Sequence, residues 1–186
     1  MSVPSELPDM RIMEWLGTDS KHVPYYLHPL NLVWSDEGVE HDLELYHRVA
    51  ALLTAEPAYW SQLIRADSWR HNLPGCVCLL ASRRRDFFDD LCFRFEAGSW
   101  VAPQIAVTLG LLYGADARRY FESALGNQAI RSSAKKAISA DRVLTQLSAQ
   151  AANKVSVHEW PEPYLDDAMI ADVIVPKWWS FWSARM

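Results

Sequence analysis

The chain has 186 residues, of which 50% are hydrophobic and 22% are charged, and its formal net charge is -5. This composition excludes a disordered chain, and the length is sufficient for one domain, 1–186, with a core that needs no disulfide or metal. The longest apolar run, 105–113, is too short to cross a bilayer, and the first thirty residues have no signal-peptide pattern. We therefore expect a cytoplasmic protein.

Charge is unevenly distributed along the chain. Residues 1–60 contain ten acidic and three basic side chains, 61–155 contain eight and thirteen, and 156–186 contain five and two. Acidic ends that flank a basic middle are typical of a partner surface, or of ends that pack onto the middle and neutralise it. Of these two interpretations, the sequence slightly favours neutralisation.

From residue 42 onward, apolar residues recur at helical spacing between regular turn signals, a pattern that predicts an all-α fold. The first helix of this region is predicted to end before Pro57, which is well placed to open the second. The third is predicted to begin at Asn72 as its N-cap, with Pro74 in the first turn. The expected core faces of these helices contain Leu43, Tyr46, Val49, Ala50, Leu53, Trp60, Leu63, Ile64, Leu73, Cys76, Val77 and Leu80.

The run RRRDFFDD, 83–90, coincides with a predicted helix boundary. Its three arginines fall at the end of one helix, and Asp86, Asp89 and Asp90 are predicted to cap and line the first turn of the next, so both groups suit the helix dipole. This next helix is predicted to end at Gly98, and Ser99 to cap the one after it. That following helix is apolar on both sides, which predicts burial between neighbours.

Two stretches of the chain repeat one plan, an outer helix, a Ser-Trp turn and an inner apolar helix. The two turns contain Trp69 and Trp100, which are 31 residues apart. Stacked helix pairs share a continuous core and need atypical segments at their ends. We therefore predict stacked antiparallel helix pairs over 42–152, with irregular caps formed by 1–40 and 153–186.

Three tryptophans, Trp178, Trp179 and Trp182, crowd the C-terminal cap. We expect them to plug the end of the stack, because large apolar patches are rarely left in water. The cap is also predicted to contain a short helix around 169–174, broken by prolines that include Pro176. If the tryptophans were exposed, they would instead mark a binding surface.

No catalytic or metal-binding pattern stands out in the sequence. The cysteines, Cys76, Cys78 and Cys92, lie in apolar helical patterns, where a free cysteine behaves as a small hydrophobe. The six histidines form no HExxH pair, and the seven glycines include no phosphate loop or nucleophile elbow. We therefore expect a protein that is not an enzyme, with no catalytic residue, no metal site and no cofactor.

The arginine-rich middle segment leaves a second function open. A basic concave face on stacked helices, with Arg118 and Arg119, would follow phosphates, as in a HEAT-like nucleic-acid-binding protein or enzyme. The sequence pI of about 5.6 makes nucleic acid the less favoured partner. A scaffold or assembly chaperone is a third alternative.

The stretch RRRDFFDDLCFRFEAGSWVAPQIAVTLGLLYGADARRYFESALG, 83–126, resembles short HEAT-like α-helical repeats, and this likeness extends over about 42–150. The acidic, tryptophan-rich chain also looks like the immunity proteins encoded beside bacterial toxins. That resemblance implies a protein that binds a basic toxin domain through acidic charge and an aromatic anchor. The residues expected to bind the partner are Trp34, Asp36, Glu37, Glu40, Glu159, Trp160, Glu162, Asp166 and Asp167.

Overall fold

The computed structural model describes residues 9–54, 57–150 and 165–186. Over these ranges the chain forms ten α-helices and one 3-10 helix with no β-strand, so the predicted all-α fold is confirmed. The elements in chain order are α1 (Asp9–Leu16), the 3-10 helix (Tyr25–Leu30), α2 (Val39–Thr54), α3 (Pro57–Arg65), α4 (Trp69–Ser82), α5 (Phe88–Ala97), α6 (Ala102–Tyr113), α7 (Ala115–Ala124), α8 (Gln128–Arg131), α9 (Ala134–Gln150) and α10 (Leu165–Ser183).

Two apolar helices, α4 and α6, form the centre of the fold. Residues 72–80 of α4 and 102–110 of α6 are all buried. The two helices pack against each other, while α3 and α5 pack against each other outside them. Each predicted pair therefore has an outer and an inner helix, and α9 packs on α6 as the next inner helix.

Asn72 does not cap α4, because the helix begins three residues earlier at Trp69. Its side chain lies in the core, where Nδ2 donates to the carbonyl oxygens of Ile64 at 3.0 Å and Ala66 at 2.9 Å. Its Oδ1 accepts a hydrogen bond from Ser99 Oγ at 2.8 Å. The N-cap prediction was wrong. A polar residue ahead of an apolar run gives the same local sequence pattern whether it caps a helix or bonds to distant residues in the core.

The predicted helix boundary in the run 83–90 is confirmed, but the N-cap of α5 is Phe87 and not Asp86. Arg83, with a left-handed φ of 53°, is the C-cap of α4, and Asp89 and Asp90 lie in the first turn of α5. The next boundary is Gly98, whose φ of 92° favours glycine and ends α5. This charge run is therefore part of the helix architecture.

The C-terminal segment forms one helix of 19 residues, α10, which continues through Pro176. A proline inside a helix costs about 3 kcal/mol, because a hydrogen bond is lost and the ring crowds the preceding turn. Burial of three indoles offsets this cost, since Trp178, Trp179 and Trp182 are only 0%, 5% and 2% exposed. The predicted plugging by these tryptophans is confirmed, and the predicted break at Pro176 is wrong.

Gly110 sets the close approach of α6 to α9 and α10. A Cβ atom at this position would lie 2.6 Å from Val143 Cγ1 and 2.7 Å from Trp179 Cζ3, well inside van der Waals contact. The missing side chain therefore lets the indole of Trp179 pack on the backbone of the central helix. Within the described ranges, no helix has both the length and the apolar character needed to cross a membrane.

Candidate protein-binding surface

Several of the predicted acidic residues lie together at the start of α2. Asp36 and Glu37 are exposed in the turn that precedes the helix, and Glu40 is exposed in its first turn. Glu44 lies one turn further along the same face and is also exposed. We call Asp36, Glu37, Glu40 and Glu44 the acidic edge. Sequence reasoning missed Glu44, although its spacing of four residues from Glu40 identifies it.

Part of the charge on the acidic edge is neutralised within the molecule. Asp36 pairs with Lys21 at 2.6 Å between Oδ2 and Nζ, and the hydrogen bond between them raises the pKa of Lys21. Glu40 lies 3.7 Å from Arg185 Nη2, at the end of α10. Glu44 has no ion-pair partner among the residues that the structure describes. The acidic edge therefore retains negative charge available to a partner.

Trp34 lies beside the acidic edge and is half-buried. Its ring stacks on Phe181 of α10, with centroids 4.9 Å apart and an interplanar angle of 26°. The guanidinium carbon of Arg185 lies 3.9 Å from the centroid of Phe181. These contacts join the N-terminal cap to α10, so Trp34 has an internal packing role in addition to the partner contact predicted for it.

The other predicted partner residues lie near the C-terminus. Glu159, Trp160 and Glu162 are outside the described residues. Asp166 and Asp167 belong to the first turn of α10, and their side chains are also outside the description. The described part of the surface therefore contains four of the predicted residues, Trp34, Asp36, Glu37 and Glu40.

A groove of about 820 Å³ adjoins the acidic edge. One wall is acidic and comes from α2, and the other is basic and comes from the ends of α4 and α10. Arg83 Nη2 donates to the carbonyl oxygen of Arg185 at 2.7 Å, a bond that holds the basic wall together. The groove is lined by Glu40, Leu43, Glu44, His47, Leu80, Ala81, Arg83, Trp182, Ala184 and Arg185.

A buried group of polar residues joins the 3-10 helix to α2. His28 Nδ1 lies 2.7 Å from Asp42 Oδ2, and His28 Nε2 lies 3.3 Å from Asp19 Oδ2. The backbone N–H of Ser35 donates to Asp42 Oδ2 at 3.0 Å, and the Ser35 hydroxyl donates to Asp42 Oδ1. We call Asp19, His28, Ser35 and Asp42 the buried polar cluster. It holds the N-terminal cap on the stack.

The geometry of the buried polar cluster suits structure rather than catalysis. Both ring nitrogens of His28 face carboxylate oxygens, so the imidazole has a polar partner on each side. The two carboxylates lie at different nitrogens of the ring, so they share no point where a metal ion would bind all three groups. The Ser35 hydroxyl donates to the fully buried carboxylate of Asp42, so it takes part in a hydrogen bond inside the core.

Asp19 also receives hydrogen bonds from the backbone. Burial raises the pKa of Asp19, but the N–H groups of Val23 at 2.8 Å and Lys21 at 2.9 Å, together with His28, lower it below its ordinary value. The ionised carboxylate is therefore the favoured form.

The described cysteines have the properties of core residues. Cys76 and Cys78 are free and buried, and burial raises the pKa of the Cys76 thiol to about 12. Burial raises the pKa of Cys78 further, and that of the half-buried Cys92 to about 12. Such thiols are protonated at neutral pH and are poor nucleophiles. In the ranges that the structure describes, no three His, Cys, Asp or Glu side chains could hold a metal ion together.

Several arginines of the middle segment are bound inside the fold. Arg94 is only 4% exposed and donates to the carbonyl oxygens of Ala66 and Gly98 and to the carboxylate of Asp67. Arg118 donates to Ser148 Oγ at 3.0 Å. Arg119 pairs with Asp116. These side chains are therefore partly or fully committed to contacts within the molecule.

Neither a protein-family model nor a curated protein nor a solved structure shows a significant match to this chain.

Proposed function

We propose that this chain is a protein-binding module of the immunity type, which binds and neutralises a basic domain of a bacterial toxin. The acidic edge and the groove beside it form the docking surface. The observation that carries this proposal is the position of Glu40 and Glu44, which belong both to the acidic edge and to the wall of the groove.

Electrostatics supports a basic partner. Exposed acidic groups steer a basic protein toward the groove, which increases the association rate more than the final affinity. Once docked, a lysine or arginine of the partner would pair with Glu44, which has no ion-pair partner among the residues that the structure describes. An acidic group of the same partner would meet Arg83 on the opposite wall.

The floor of the groove is apolar but offers a partner little surface. Leu43, Leu80 and Trp182 line the groove between its charged walls, and they are 6%, 1% and 2% exposed. The proposed binding therefore depends mainly on the charged residues of the two walls, which belong to the ends and exposed faces of α2, α4 and α10.

Charge reversal tests this proposal. The immobilised protein is used to capture partners from a lysate of the source organism, and the bound proteins are quantified at low and high salt. We expect Glu44→Lys to reduce capture of the basic partner about tenfold at low salt, because an attractive contact becomes repulsive. Raising the salt concentration should reduce the difference in capture between the wild type and Glu44→Lys.

Glu122→Lys is the matched control. Glu122 is an exposed glutamate on α7, and its replacement makes the same change in net charge away from the groove. Equal capture by the wild type and Glu44→Lys at low salt would contradict the proposed surface. Co-expression with a toxin-like reading frame beside the gene tests neutralisation itself, since the wild type should restore growth and Glu44→Lys should restore less.

A further inference from the structure

The two Ser-Trp turns of the repeat meet on the surface of the stack. The rings of Trp69 and Trp100 have centroids 5.1 Å apart and an interplanar angle of 49°, and Tyr26 extends the contact to Trp69 at 6.5 Å. Trp100 is 55% exposed, and Trp69 and Tyr26 are half-buried. We call Tyr26, Trp69 and Trp100 the aromatic row. Stacking of the two repeat units creates it.

Buried polar side chains hold both turns in place. Asn72 bonds to the carbonyl oxygens that end the first outer helix and to Ser99 of the second turn. Arg94 bonds to Ala66 just before one turn and to Gly98 just before the other. The aromatic row therefore rests on a rigid support. Rigid aromatic side chains lose little conformational entropy when they bind, which makes them good anchors.

Each indole of the aromatic row has a cation beside it. The guanidinium carbon of Arg70 lies 4.7 Å from the Trp69 ring centroid, and Lys135 Nζ lies 5.9 Å from that of Trp100. Arg70 is exposed and forms no ion pair with any residue that the structure describes. Asp67, the acidic residue of the first turn, is bonded to Arg94. Arg70 and Lys135 therefore place positive charge over the row, while the carboxylate of Asp67 is also exposed at the first turn.

The exposure of Trp100 needs an explanation, because other tryptophans of this chain are used to fill space. Trp60, Trp178 and Trp182 are at most 2% exposed, whereas Trp100 leaves 55% of its surface in water. Large apolar groups left exposed as a group are typical of binding surfaces. Arginine and lysine next to aromatic rings bind anionic groups while the rings pack against apolar parts of the same ligand.

The charges around the row favour an acidic peptide over nucleic acid. A nucleic-acid strand needs cations for several successive phosphates, and two cations, Arg70 and Lys135, lie over the rings of the row. The net charge of -5 also repels a long polyanion more than a short acidic segment. Proline and aromatic side chains of a peptide pack well in aromatic-lined sites, and carboxylates would pair with Arg70.

The geometry points to a second recognition site, in which the aromatic row with Arg70 and Lys135 binds an acidic, proline-containing or aromatic peptide segment of a partner protein. The site is separate from the acidic edge, and it does not depend on the identity of the partner bound there.

The probe for this site is an array of random peptides of about twelve residues, a length that spans such a site in extended form. We expect the wild-type protein to retain peptides enriched in Asp and Glu together with Pro or aromatic residues. Trp100→Ala and Arg70→Glu should each weaken binding to these peptides about tenfold, since each removes one of the two kinds of contact.

Phe93→Ala is the matched control. Phe93 is 48% exposed and has the guanidinium carbon of Arg65 at 4.6 Å from its ring centroid, but it is not part of the aromatic row. Phe93→Ala should retain the same peptides as the wild type. Glu44→Lys should also retain them, which separates this test from the test of the acidic edge. Retained peptides with no acidic enrichment, or unchanged binding by Trp100→Ala, would overturn the inference. Tighter binding of an oligothymidylate of similar length would also overturn it, in favour of nucleic acid.

Discussion

Asp42→Ala is expected to destabilise the fold by about 3–5 kcal/mol, the range seen when one partner of a buried ion pair is removed. Asp42 is completely buried and accepts hydrogen bonds from His28 and from two groups of Ser35. Its removal would leave these donors without an acceptor in the core. The free energy of unfolding, from urea titrations followed by circular dichroism, measures the loss.

Asp36→Ala is the control for this substitution. Asp36 is 63% exposed and forms a surface ion pair with Lys21, so its replacement should change the free energy of unfolding by less than about 1 kcal/mol. Similar effects of Asp42→Ala and Asp36→Ala would show that the buried polar cluster does not hold the N-terminal cap in place.

Trp178→Ala is expected to cost about 3–5 kcal/mol, as large-to-small substitutions of buried aromatic residues do. Trp178 is fully buried, packs near Trp182, and donates through Nε1 to the carbonyl oxygen of Pro29 at 3.0 Å. The substitution therefore leaves a cavity and removes a hydrogen bond between α10 and the 3-10 helix. The shift of the urea midpoint, at an unchanged m-value, measures the loss in the free energy of unfolding.

Trp100→Ala makes the same chemical change at an exposed position. Because Trp100 is 55% exposed, we expect it to lower stability by about 1 kcal/mol or less. An equal loss at both positions would contradict the assignment of Trp178 to the core and of Trp100 to a surface site.

Helical periodicity and turn residues were enough to predict the stacked helix pairs. Apolar residues on both sides of α6 predicted its burial, and Gly98 predicted the end of α5. These features are local, because a helix and its termini depend on residues a few positions apart. The same reasoning failed at Asn72, whose hydrogen-bond partners are eight, six and 27 residues away.

Tertiary contacts account for the other differences between prediction and structure. Pro176 predicts a helix break by its own chemistry, and only the burial of the tryptophans around it explains why α10 continues. In the sequence, the histidines were assessed only as possible metal ligands. The position of His28 between two carboxylates was therefore not predicted. A buried ionic group of this kind depends on how the N-terminal cap folds back on α2.

The candidate surface was predictable only in part. The acidic residues before and within α2 were recognised from charge, and Glu44 follows from helical spacing. The basic wall was not predictable, because Arg83 and Arg185, which form a hydrogen bond, are 102 residues apart in sequence. Part of the charge asymmetry of the chain is neutralised within the molecule, since Asp172 pairs with Arg142 of the middle segment.

The two proposed sites differ in charge, since the acidic edge consists of carboxylates and two cations lie over the rings of the aromatic row. The acidic edge is positioned by the N-terminal cap and α10. The aromatic row is positioned by the turns of the repeat. A partner with a basic domain and an acidic tail would use both, and linked binding at two sites increases affinity without any new contact.

Hydrogen exchange on the complex with the captured partner tests the central claim most directly. Because the acidic edge and the groove are proposed to form the docking surface, amides at 36–47 should exchange more slowly in the complex, while those of α7 should not change. Unchanged exchange at 36–47, with protection confined to α7 or to other helices away from the groove, would contradict the claim.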